Sequence, residues 1–161
     1  MSPPLYLAFV WHMHQPYYRD TATGACSMPW VRLHGTKDYL DMLTILEPFP
    51  NLHQTFNLVP SLLDQLSEYA NAQRPATDQF LEVSRKPAAE LTDPEKRFVL
   101  EWFFMAHWDR MIKPYPRYYD LLVKRGLQPQ AIDWSAAIAA FRPQEYLDLQ
   151  VWFNLVWIDP Q

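Results

Sequence analysis

Residues 5–16, LYLAFVWHMHQP, form an apolar run that ends in two histidines, a glutamine and a proline. With the two-residue period of a strand, Tyr6, Ala8, Val10, His12 and His14 share one face, and Leu5, Leu7, Phe9, Trp11 and Met13 the other. Both faces are apolar until the end, the pattern of a strand covered on both sides in a parallel sheet flanked by helices. Such sheets and barrels hold their ligands at the carboxyl ends of the strands, where His12, His14 and Gln15 fall. Pro16 stops the ladder because it has no backbone N–H to give.

His12 and His14 point to the same side, and spacing alone leaves three roles open. They are satisfied core or loop imidazoles, two ligands of a metal ion, or a polar floor for a hydroxyl-rich ligand. Zinc needs further His, Asp, Glu or Cys ligands, and His34, His53 and His107 form no second compact cluster. No metal site is therefore assembled from local sequence. A sugar needs only the donors and acceptors that imidazole and amide groups supply.

Downstream, Tyr39, Met42, Leu43 and Leu46 recur at helical spacing from Thr36, and Pro48 ends that helix. His53 to Val59 reads as a second strand, with Asn57 near its carboxyl end. Pro60 opens the next helix, whose stripe is Leu62, Leu63, Leu66 and Tyr69. This β, α, β, α order starts a parallel sheet, and a right-handed crossover lays the two strands side by side. Asn57 then sits near His14, as a site residue or as a turn or helix cap. Between the first strand and first helix, the long Tyr17–His34 loop carries Tyr17 and Trp30, which with Trp11 are the rings nearest the strand mouth. Arg32 and His34 either contact substrate there or serve a salt bridge or cap.

After Ala70 the alternation ceases. Residues 71–86 read as a polar loop, and Thr92-Asp93-Pro94-Glu95 has capping-box spacing before Phe98, Trp102, Met105 and Trp108. A helix from Arg117 to Arg125 ends at Gly126, and Leu149, Trp152, Phe153 and Val156 give the last run, from Pro143, a helical period. The expected division is thus residues 1–70 as two β/α units and residues 71–161 as a helical insertion.

Composition narrows the function classes. The 161 residues carry a formal charge of −4, with lysines and arginines scattered, so there is no footprint for nucleic acid. With only three glycines, neither a dinucleotide fingerprint nor a phosphate-cradling loop is present, and no cofactor is expected. Cys26 is the sole cysteine, which fits a reducing compartment. The first residues lack the basic region of a signal peptide, and no stretch reaches the roughly 18 apolar residues of a membrane span. A cytoplasmic protein without a membrane partner is the expectation. Aromatic residues make up 16% of the chain; most suit a core, and those near the strand mouth suit sugar faces.

Four segments carry a family resemblance: WHMHQPYY at 11–18, MPWVRLHGTKDYLDM at 28–42, TFNLVPSLLDQL at 55–66 and DLQVWFNLVWIDP at 148–160. In that order they resemble the amino-terminal part of glycoside hydrolase family 57, closest to its amylopullulanase-like and related α-amylase members. The resemblance implies an α/β fold, the amino-terminal part of an incomplete seven-stranded (β/α) barrel with a mostly helical insertion. It implies retaining action on an α-glucan or maltooligosaccharide, which uses two carboxylates about 5 Å apart. The family's glutamate and aspartate motifs are not found in this sequence. Its acidic residues, among them Asp38, Asp41, Asp64, Glu68, Glu82, Glu95, Glu101, Asp120 and Glu145, fall in or beside helical patterns, where surface or capping roles are expected. Asp20 and Asp159 lie where they could approach a site, and neither is assigned as catalytic. The chain thus reads as a piece of an enzyme, inactive alone, that relies on the rest of the catalytic domain. Its expected substrate-binding residues are His12, His14, Gln15, Trp11, Trp30 and Asn57. The alternatives are a metal-dependent polysaccharide deacetylase-like enzyme and a non-catalytic glucan-binding module.

Overall fold

A computed structural model describes residues 3–73 and 76–158. The chain divides into two compact units, one running to Asp78 and one from Gln79. It is mixed α/β, mostly helical, with a small parallel sheet of two strands.

In the first unit, β1 (Val10–Met13) and β2 (Thr55–Leu58) pair in parallel, Val10 opposite Thr55 and His12 opposite Asn57. Between them in sequence lie α1 (Trp30–Gly35) and α2 (Asp38–Thr44), and α3 (Pro60–Tyr69) follows β2. Pro60 fits the first turn of α3 because the N–H it lacks would have no intrahelical acceptor there. Met13, Val31 and Leu62 are buried together, with Tyr18, Tyr39, Met42, Leu66 and Tyr69 packed on them. The core is thus made by one end of β1 and the facing sides of the three helices.

The expectation of a strand hidden on both faces is corrected. The ladder starts only at Val10, and within β1 only Met13 is buried. Leu5, Tyr6 and Leu7 are 89%, 84% and 78% exposed, and Val10 is 66% exposed. Apolar alternation marks a surface suited to cover, and the described residues do not provide that cover. Two helix expectations also shift. Residues 30–35, placed in a loop, are helical, with Val31 and Leu33 buried. The following helix ends at Thr44, short of Pro48, and Leu43 stands in solvent.

In the second unit α4 (Gln79–Arg85), α5 (Asp93–Trp102), α6 (Pro116–Arg125), α7 (Trp134–Ala140) and α8 (Pro143–Leu155) follow in order. The capping box at the start of α5 is formed, with the Thr92 N–H donating to Glu95 Oε2 at 2.7 Å. Gly126 ends α6 at φ +108°, a conformation side chains disfavour. α5 stops at Trp102, so Trp108 belongs instead to a π-helical turn, Trp108–Ile112. Residues 79–85, read as part of a polar loop, are helical because Phe80 and Val83 share one face and are buried. Phe80 and Phe103 pack on Phe153 of α8, with ring centroids 5.8 and 4.4 Å from it. Glu145, expected in a surface or capping role, caps α8 by accepting from the Arg142 N–H at 2.8 Å, and it does so buried, beside Lys124. Asp159 lies outside the described residues.

Candidate functional site

The parallel register sets His12 directly across from Asn57. The Asn57 amide nitrogen lies 3.2 Å from His12 Nδ1. An amide N–H only donates, so Nδ1 is the acceptor in this contact. His14, two residues on, stacks on His12 with centroids 5.4 Å apart and planes 8° from parallel. Side-by-side strands therefore bring His12, His14 and Asn57 into one exposed group at the carboxyl ends of β1 and β2. Asn57 meets His12 directly and His14 through it.

Gln15 begins the turn that follows, and both ends of its amide are held. Its Nε2 donates to the Tyr39 hydroxyl at 2.9 Å, and its Oε1 accepts from the Tyr18 hydroxyl at 3.1 Å. Ser61 of α3 donates to the Gln15 carbonyl at 2.9 Å. One turn along α3, Gln65 is 1% exposed; its Nε2 donates to the Pro16 carbonyl at 2.9 Å and its Oε1 accepts from the Tyr18 N–H at 2.9 Å. The backbone from Gln15 to Tyr18 is thus fixed by two side chains of one helix, which sets the direction of Gln15.

The aromatic candidates divide. Trp30 opens α1 half-buried, its ring 5.8 Å from His34, which is 6.2 Å from the Tyr39 ring. Trp30 is therefore linked to Gln15 through His34 and Tyr39. Trp11 alternates to the opposite strand face from His12, and its indole N–H donates to Gln54 Oε1. Tyr17 is partly exposed and its hydroxyl donates to Asp64 Oδ2 at 3.0 Å.

Both basic candidates in α1 are held by carboxylates. His34 Nδ1 bonds Asp38. Arg32 Nε donates at 3.1 Å to Asp78, which is 2% exposed and also accepts from Tyr69 Oη at 2.9 Å. Burial, with Asp78 beside it, pushes the Tyr69 hydroxyl well above its usual range. Asp20 accepts from the Thr23 and Ala22 N–H groups, each at 2.8 Å, which hold its pKa below the ordinary value. Its geometry is that of a turn.

Gln65, Tyr18, Tyr39 and Asp78 were not singled out from the sequence. Gln65 had a signal: it interrupts the stripe of Leu62, Leu66 and Tyr69 at helical spacing, where a polar side chain must find a buried partner. Among the described residues no three His, Cys, Asp or Glu side chains are grouped to hold a metal ion. The exposed His12 and His14 imidazoles and Asn57 amide, with the half-buried Gln15 and Tyr39, suit recognition of a neutral, hydroxyl-rich ligand.

The family model for glycosyl hydrolase family 57 matches residues 8–128. Neither a curated protein nor a solved structure matches the chain. No helix among the described residues is long and apolar enough to cross a membrane.

Proposed function

The chain belongs to glycosyl hydrolase family 57, and from that premise we propose that it forms the amino-terminal part of an α-glucan-active catalytic domain of amylase or amylopullulanase type. Membership supports a glycoside hydrolase with a carbohydrate substrate. In the proposal, β1 and β2 are the first strands of an incomplete (β/α) barrel. His12, His14, Gln15 and Asn57 bind and orient one sugar ring and Trp30 flanks them, whereas Trp11, which faces the other side of β1, is left out of the site. Reaction with retention requires a nucleophile that forms a glycosyl-enzyme and an acid/base that protonates the leaving oxygen and then activates water. These two carboxylates are proposed to come from a part of the protein outside these 161 residues.

The observation that carries the reading is the exposed group of His12, His14 and Asn57 at adjacent parallel strand ends. Electrophoresis through gels containing soluble starch, pullulan or acetylated chitosan tests it. Starch or pullulan should retard the protein, and His14→Ala should abolish the retardation while leaving the circular dichroism unchanged. Equal mobility in all gels would overturn the α-glucan reading, and retardation by acetylated chitosan alone would favour a deacetylase.

A further inference from the structure

We propose that Tyr39 is a sugar-binding residue, its hydroxyl and the Gln15 amide forming a pair of adjacent donors that reads a vicinal diol. The inference rests on the α-glucan reading above and adds a residue and a specificity to it. Gln15 Nε2 lies 2.9 Å from Tyr39 Oη. An amide nitrogen only donates, so the phenol oxygen is the acceptor and its own proton is directed elsewhere. Among the described residues no acceptor receives that proton, and Gln15 Oε1, occupied by Tyr18 at 3.1 Å, leaves Nε2 with a second hydrogen beside it.

Two features fix this pair. The Tyr39 ring packs on the cluster of Met13, Val31 and Leu62. The Gln15 amide is gripped by phenols at both ends, so neither group reorganises when a ligand arrives. Burial keeps the Tyr39 hydroxyl protonated beyond its ordinary range, with Asp38 reinforcing it against the opposing Gln15 bond. Two neutral donors one hydrogen bond apart match two adjacent ring oxygens. They do not select a charged ligand, and an isolated hydroxyl would engage only one of them.

The test is titration of the protein with methyl α-maltoside and its monodeoxy analogues, using wild type, Tyr39→Phe and His14→Ala. Tyr39→Phe should weaken the parent glycoside roughly tenfold, the scale of one well-placed hydrogen bond. One deoxy position should cost wild type the same factor and the variant nothing further, a pairing that a merely structural tyrosine would not produce. If wild type binds and His14→Ala weakens binding, but Tyr39→Phe matches wild type across the series, the Tyr39 proposal fails alone. If wild type binds no maltoside, the functional reading fails and takes this proposal with it. Should Tyr39→Phe not fold, Gln15→Met removes the other donor. Wild type should then be sensitive at two neighbouring deoxy positions and Gln15→Met at only one, and equal sensitivity at both positions would overturn the pair.

Discussion

The side chain of Gln65 reaches from α3 to donate to the carbonyl of Pro16 at 2.9 Å, and so holds the turn on which Gln15 stands. The same amide accepts from the Tyr18 N–H at 2.9 Å. Gln65→Leu keeps the apolar stripe but strands two backbone groups. The expected loss is about 2 kcal/mol, the cost of buried polar groups without partners. Urea unfolding measures it. A change below about 0.5 kcal/mol, the size of an ordinary surface substitution, would show that the turn does not depend on Gln65.

Asn57 faces His12 in an exposed pair, so its bond adds little to folding, and its loss should be felt instead in the proposed sugar binding. Asn57→Ala should move stability by less than about 1 kcal/mol, because water replaces the lost partner. Retardation by starch or pullulan should fall clearly. The opposite outcome, an unfolding midpoint that drops while mobility in the glucan gels stays the same, would make Asn57 a structural pin of the two strands.

Glu145 gives a pH-dependent prediction in the second unit. Its side chain is 4% exposed, and Lys124 Nζ donates to both carboxylate oxygens at 2.7 Å. Burial alone would raise its pKa, but the Lys124 bonds and the Arg142 N–H more than offset burial and hold it below the ordinary 4.5. A lowered folded pKa means that stability is present above pH 4.5 and lost as pH falls further.

Lys124→Met leaves the carboxylate with Arg142, whose guanidinium is 3.6 Å away but whose side chain is 78% exposed. The variant should lose about 1 to 2 kcal/mol at pH 7, less than a fully buried pair would cost, because Glu145 is buried but the Lys124 side chain is 33% exposed. Burial then dominates and raises the folded pKa. The sign reverses: protonation relieves the variant, so its deficit should shrink as pH falls from about 7 to 5. Unfolding midpoints of both proteins at the two pH values check this, and a constant deficit would rule out a buried charge as its source.

Legibility in the sequence followed the range of the interactions. Local signals worked: Pro60 and Pro143 at first turns, the Thr92–Glu95 box and Gly126 each act within one helical turn. The expected side-by-side, parallel placement of the two strands also worked, and it brought Asn57 to the His12–His14 pair. What failed needed knowledge of distant partners. Alternation in residues 5–9 predicts cover without saying whether it is present. The helix at 30–35 is short and has no side-chain cap bond, so packing of Val31 and Leu33 outweighs weak local preference. The sequence leaves Arg32 open between substrate and salt bridge because Asp78 lies far along the chain, and only folding brings them together.

The bare apolar segment before β1 yields the last prediction. Leu7 and Val10 are 78% and 66% exposed, in or next to a sheet of only two strands. Two strands with exposed apolar side chains offer unpaired backbone and greasy surface together, the combination that drives strand-to-strand association. The 161-residue chain should therefore self-associate in a concentration-dependent way during analytical ultracentrifugation. Replacing Leu7 and Val10 together by lysine should shift it toward monomer, because charged edge residues oppose such pairing. Neither side chain packs in the buried cluster, so the unfolding midpoint should change little. If wild type remains monomeric at high micromolar concentration, this apolar stretch does not act as an association surface. If the double variant loses stability along with association, the segment packs more closely than its exposure indicates.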